Sequence, residues 1–312
     1  MLKLPWSKII YVKAMLTLTY LISQSTVAAS PLVVDSLKLE LVAEGFVFTE
    51  GPAALPNGDV IFSDIHDEKL HKWHALTNKV EQVRDNTQRT NGLYFNKEGH
   101  LYACQWSGKK LIKITDLDYV DSDVVITSSF KNKPYNQPND LWISGNGSLY
   151  FTDPNYGKKK LTQDGEHVYF VDTNNQVSRV KDSFIRPNGI IGHIDNKTLY
   201  ITDPGAGKTY RYHITNNGEL ENKTLVINKG GDGMTLDEDG RLYLTIPKER
   251  ALVVIDANNE LVGIKDLGVK ATNVTFAGVD GKTLFVTAQK QVFKIDMPVK
   301  GMYTQVHQVT HH

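Results

Sequence analysis

The chain has 312 residues, 40% of them hydrophobic, with 35 basic and 35 acidic side chains in balance. That is ample apolar material for a packed core, and a net charge of zero with no basic stripe excludes the usual electrostatic footprint of a nucleic-acid binder. A single cysteine, Cys104, excludes an internal disulfide and a cysteine-rich zinc site; it is expected to pack as a small apolar residue.

From the N-terminus, Lys3, Lys8 and Lys13 accompany a short apolar run over residues 14–22, followed by Val27-Ala28-Ala29. This is the pattern of a secretory signal peptide cleaved after Ala29. The run is shorter than the roughly 20 residues of a membrane span; an uncleaved anchor is the alternative. The expectation is a leader over residues 1–29 and one folded domain over 30–312. The protein is then exported, periplasmic or secreted according to the host, with no membrane contact beyond the export signal.

Next, Leu37-Lys38-Leu39-Glu40-Leu41-Val42 alternates as a strand does. A unit then recurs: a polar anchor, a short apolar strand, a turn, and a second strand. Glu50-Gly51-Pro52 leads through Asn57-Gly58 to Val60-Ile61-Phe62-Ser63-Asp64, and Asn91-Gly92-Leu93 through Glu98-Gly99 to Leu101-Tyr102-Ala103-Cys104. Asn139-Asp140-Leu141 leads through Asn146-Gly147 to Leu149-Tyr150-Phe151-Thr152-Asp153, and Asn188-Gly189-Ile190 to Leu199-Tyr200-Ile201-Thr202-Asp203. Asp232-Gly233-Met234 leads through Asp239-Gly240 to Leu242-Tyr243-Leu244-Thr245, and Asn273-Val274-Thr275 through Asp280-Gly281 to Leu284-Phe285-Val286-Thr287.

The anchors stand roughly 40 to 50 residues apart, the period of propeller blades. The strands are short and rich in Val, Ile, Tyr, Phe and Thr, and the X-Gly pairs are hairpin punctuation. The sequence therefore predicts an all-β fold, a six-bladed β-propeller around a central axis, with Leu37–Val42 completing the last blade as its outer strand. A β-sandwich or two small barrels would not need a repeat of this length.

In such a ring Glu50, Asn91, Asn139, Asn188, Asp232 and Asn273 come to one height and point at the axis. A single Asn before Gly often only caps a turn. Glu is a poor turn residue, however, and Glu50 breaks the pattern. Two carboxylates and several amide oxygens, with no sulfur or imidazole, suit a hard divalent cation, Ca²⁺ before Mg²⁺, Mn²⁺ or Zn²⁺. His66, His71 and His74 read as surface or inter-strand residues, not as a metal site.

Glu-Gly-Pro, Pro-Asn-Asp-Leu, Pro-Asn-Gly-Ile and Asp-Gly-Met, in this order and spacing, resemble the SMP-30/gluconolactonase/LRE-like family from about Leu37 onward. The resemblance implies a six-bladed propeller with one catalytic divalent metal on its axis. It also implies metal ligation by Glu50, Asn188 and Asp232, with Asp232 as the base. Asn139 would touch substrate, a metal-bound water or the metal itself, and Asn91 holds the matching place in the second copy.

Two departures bear on the substrate mouth. Gln137 stands where some relatives have an arginine, and Gln105-Trp106-Ser107-Gly108-Lys109 replaces an acidic-His-Gly-Arg type run. Gln137, Gln105, Trp106 and Tyr156 are therefore candidate substrate contacts, and the particular lactone stays open. The expected reaction is hydrolysis of a small lactone, the metal polarising the carbonyl and Asp232 taking a proton from water. The alternatives are a non-catalytic binding propeller with a structural ion, and a hydrolase of another electrophile such as an organophosphate.

Overall fold

The computed structural model describes residues 32–157 and 160–303. The leader segment and the terminal His311-His312 lie outside the described residues. The fold is all-β and propeller-like. Only two 3-10 turns, Val34–Ser36 and Val120–Ser122, interrupt the strands among the described residues.

Four sheets are four-stranded antiparallel meanders, each built from consecutive strands. The first holds Thr90–Phe95, Leu101–Gln105, Lys110–Ile114 and Val124–Thr127. The second holds Leu141–Ile143, Leu149–Asp153, His167–Val171 and Val177–Arg179. The third holds Ile190–Gly192, Thr198–Asp203, Lys208–Ile214 and Leu220–Ile227. The fourth holds Met234–Leu236, Leu242–Ile246, Ala251–Ile255 and Leu261–Asp266. A two-stranded ribbon, Ser129–Phe130 with Lys133–Pro134, stands beside them.

The fifth large sheet joins the two ends of the repeat array. Its order is Asn273–Ala277, Thr283–Asp296, Glu40–Ala54, Val60–Asp64, Lys69–His74, Lys79–Arg84. The long strand Glu40–Ala54 serves two partners. Its first part pairs with the C-terminal strand, Glu40 opposite Lys294 and Glu44 opposite Gln291, and its last part pairs with Val60–Asp64. The alternating segment expected at Leu37 enters the sheet at Glu40. Leu37 instead follows the Val34–Ser36 turn, and both Val34 and Leu37 pack against Tyr243 and Leu252.

Burial explains the strand patterns. In the fourth sheet the second and third strands, Leu242–Ile246 and Ala251–Ile255, are mostly apolar and buried throughout, as strands covered on both faces are. The outer strand Leu261–Asp266 is mostly exposed. The cores lie between sheets. Cys104 and Leu111 meet Leu141, Phe151 and Tyr169, while Trp142 and Tyr150 share a cluster with Ile190, Leu199, Met234 and Leu244. Val60 and Phe62 pack on Phe285 and Val292, so sequence-distant copies are also neighbours.

Candidate functional site

Five copies bring their anchor to within two residues of the start of an inner strand, Glu50 lies inside Glu40–Ala54, and hydrogen bonds to backbone carbonyls tie successive copies together. Ser63 Oγ donates to Asn91 O (2.9 Å) and Gly92 N to Asn139 O (2.7 Å). Gly189 N donates to Asp232 O (3.0 Å), and Gly233 N to Thr272 O (2.8 Å). The glycines after the anchors are steric necessities. A Cβ on Gly189 would stand 2.2 Å from Asp232 O, and one on Gly233 2.0 Å from Asn273 Cγ. In the third copy this glycine place is taken by Asp140.

A second repeated device sets the approach to each anchor. Asp64 accepts hydrogen bonds from Val47 N (2.8 Å) and Phe48 N (2.7 Å). Asp153 does the same for Asn136 N and Gln137 N, and Asp203 for Ile185 N and Arg186 N. The sequence suggests turns at Asp153-Pro154 and Asp203-Pro204; a turn does follow Asp203, whose O accepts from Ala206 N (3.1 Å), and the two carboxylates in addition clamp the segment that delivers Asn139 or Asn188.

Three buried carboxyl groups near the anchors feel one another's charge: Glu50, Asp140 and Asp232. Glu50 is buried, and its Oε2 accepts from Gly51 N (2.9 Å) and Asn273 Nδ2 (3.1 Å). Asn273 Oδ1 also accepts from Val274 N (2.8 Å), so both ends of that amide serve the protein. Desolvation pushes Glu50 up to about 7. Asp140 is pushed to about 7 by desolvation and then by the Glu50 charge. Desolvation holds Asp232 well above the carboxylate range, with the charges of Glu50 and Asp140 adding to it and a hydrogen bond from Asn188 opposing it. Among the described residues no Lys or Arg is a cause of the shift at any of the three.

This donor set fits a hard cation. Mutually repelling, desolvated carboxylates without a cationic side chain ionise fully only when a positive charge joins them. Among the described residues no group of three or more His, Cys, Asp or Glu could hold a metal by itself; a cation here would draw on amide oxygens as well. Asn188 donates from Nδ2 to Tyr156 Oη (2.6 Å). Among the described residues no hydrogen bond engages the side chain of Asn91 or Asn139, and both are buried. Near the anchors, a cavity of about 160 Å³ is lined by Pro52, Leu93, Leu141, Ile190 and Met234, with Asp140 and Asn273 at its wall.

The other candidate residues divide. Tyr156 reaches the anchors through Asn188, and burial followed by the Asp232 charge raises its hydroxyl. Gln137 is buried, with Oε1 accepting from Tyr156 N (2.5 Å). Gln105 is also buried, with Nε2 donating to Thr87 O (3.2 Å). Trp106 lies 5.7 Å from His66, ring centre to ring centre. His71 stacks on Phe62, and His74 pairs with Asp59 and Glu81, so these histidines stay apart from the anchors. Asp140 was not singled out from the sequence. The signal was present: it is the acid standing where the neighbouring copies have glycine.

Residues 48–290 match the family described as SMP-30/Gluconolactonase/LRE-like region. A gluconolactonase of Zymomonas mobilis is 25% identical over 296 residues, covering 83% of this chain and 81% of its own. The structure of a gluconolactonase from Xanthomonas campestris superposes with a TM-score of 0.76 at 22% identity, covering 85% of this chain and 91% of that one. Regucalcin from Agrobacterium tumefaciens, described as a calcium-binding protein, superposes with a TM-score of 0.72 at 18% identity, covering 85% and 95%. At these identities the two structures speak for the fold.

Proposed function

This chain belongs to the SMP-30/gluconolactonase/LRE-like family, and we propose that it is a divalent-cation-dependent hydrolase that opens a small lactone. The observation that carries this reading is the burial and mutual repulsion of Glu50, Asp140 and Asp232, with no cationic side chain among the described residues offsetting them. The gluconolactonase relative supports the reaction class. We read the six-stranded sheet as two blades that share the strand Glu40–Ala54, which makes six blades with the four meanders.

Glu50, Asn188 and Asp232 would hold the cation, with Asn139 beside them and Asp140 adding negative charge from the cavity side. All-oxygen donors favour Ca²⁺, the ion named for the Agrobacterium relative. Once bound, it supplies positive charge against which an ester carbonyl is polarised and developing oxyanion charge is offset. Asp232 takes a proton from the attacking water and returns it to the departing ring oxygen, leaving the hydroxy acid. Asn188, bonded to Asp232 and Tyr156, keeps that carboxylate oriented. Asn91 and Asn139 bind the substrate's polar groups with amides the protein does not itself engage, and Gln137 fixes the loop that carries Tyr156.

The test is hydrolysis of a panel of sugar and aliphatic lactones before and after EDTA, with Ca²⁺, Mg²⁺, Mn²⁺ or Zn²⁺ returned separately. We expect activity to vanish with EDTA and to return best with Ca²⁺. Turnover indifferent to EDTA, with metal removal verified, would overturn the reading.

A further inference from the structure

The repeat makes two positions directly comparable. Gln137 and Arg186 each stand two residues before an anchor, Asn139 and Asn188. Each gives its backbone N–H to the aspartate that ends the second strand of its own sheet, at 2.7 Å for Gln137 to Asp153 and 2.9 Å for Arg186 to Asp203. Each following anchor gives its own N–H to the threonine carbonyl before that aspartate, at 2.9 Å in both copies. The backbones are equivalent; the side chains are not.

Gln137 spends its Oε1 on Tyr156 N–H. Arg186 keeps 45% of its side chain exposed, with its guanidinium carbon 5.5 Å from the centre of the Tyr156 ring. Its acidic neighbour Glu166 lies 3.7 Å from Nε, beyond hydrogen-bond reach, and the same Glu166 oxygen already accepts from Asn155 N at 2.9 Å. The Nη edge of the fork thus has no acceptor among the described residues. Beside it, the Tyr156 hydroxyl accepts from Asn188 and retains its own proton for donation. Two donors therefore stand together, one steadied by the other's ring and joined through Asn188 to Asp232.

A guanidinium fork matches a carboxylate in two-point geometry, which an ammonium cannot reproduce. The placement also has an electrostatic reason. An anionic substrate approaching Glu50, Asp140 and Asp232 is repelled unless a cation meets it at the mouth, and Arg186 is the cation acting on Tyr156 together with Asp232 and Glu50. We propose that Arg186, backed by Tyr156, is a substrate-binding residue that takes a free carboxylate on the lactone, so that the preferred substrate is the lactone of a sugar acid bearing a second carboxylate. This inference rests on the lactonase reading above and narrows its substrate class.

The experiment compares wild type, Arg186→Gln and Arg186→Lys on two sugar lactones that differ only at the terminal carbon, CH₂OH or COO⁻, at equal free Ca²⁺. Calorimetric binding of the ring-opened dicarboxylate to the Ca²⁺-loaded protein is measured in parallel. Wild type should favour the carboxylate lactone by about 10-fold or more in kcat/KM. Arg186→Gln should raise KM for that lactone by about 10- to 100-fold, with kcat nearly unchanged and the neutral lactone unaffected. Arg186→Lys should fall between. Absence of a wild-type preference, or an equal loss on both lactones, overturns the proposal; an equal loss would mark Arg186 as a prop for Tyr156. If wild type opens neither lactone, the reaction assignment fails and the binding arm decides this inference. Dicarboxylate binding abolished by Arg186→Gln upholds it, and binding unchanged by the substitution sinks it.

Discussion

Replacing Glu50 by Gln should stabilise the metal-free protein at alkaline pH. Glu50 is 5% exposed, and burial raises its carboxyl from 4.5 to about 7. Because the folded-state value lies above the unfolded one, the native state holds this proton more tightly than the unfolded chain does. The resulting penalty on folding is absent below the unfolded value of 4.5, grows as pH rises, and is complete above about 7. At about 1.4 kcal/mol for each tenfold change in proton affinity, the penalty is about 3 kcal/mol. Gln keeps the shape of the side chain and cannot ionise. In EDTA at about pH 8 the variant should therefore exceed wild type by about 1–3 kcal/mol, and at about pH 5 it should equal or fall below it. Added Ca²⁺ should reverse the order at the higher pH, because cation binding stabilises the site that retains its carboxylate. Urea unfolding followed by tryptophan fluorescence, in EDTA and in Ca²⁺ at both pH values, measures all four differences. A variant less stable than wild type in EDTA at about pH 8 would refute the argument that an uncompensated charge is stored at Glu50.

Asp232→Asn keeps the shape that Asn188 holds but removes the proton acceptor; kcat should drop by about 100-fold or more, with Ca²⁺ affinity by calorimetry falling far less. Turnover near wild type would remove Asp232 from the proton step. Gly233→Ala places a methyl 2.0 Å from Asn273 Cγ, and Asn273 in turn holds Glu50. It should cost about 2 kcal/mol or more in urea unfolding and weaken Ca²⁺ binding as well. Unchanged values of both would show that the anchor ring can widen at this point.

The repeat was legible because each copy repeats a local physical requirement: an X-Gly pair for a tight turn, and a β-branched and aromatic strand for a two-sided core. Glu50 and Asp232 stood out as charges where the pattern offers amides. Asp140 was harder to see, since the sequence shows an acid in a turn-like run but not the neighbouring strand whose Ile190 N–H meets its carboxyl. The clamps by Asp64, Asp153 and Asp203 were hidden for a related reason. Each links a strand end to a segment 16 to 18 residues away, and only the folded register reveals which amides are reached. Gln105 and Gln137 show a role the sequence does not reveal: beside the substrate contact their polar side chains suggest, each satisfies a backbone group in the fold.

The strand Glu40–Ala54 also imposes an order of events on a newly made chain. Glu50 meets Asn273 across 223 residues, and Thr49 is bonded to both Thr272 and Ala288. A chain halted before the last repeat has its first carboxylate but not the Asn273 amide that helps orient it. Contacts of such sequence separation form late, since the loop they close is nearly the whole domain. On the proposed metal reading, competence to capture a cation is then a certificate of completeness, issued only to a chain whose two ends have met.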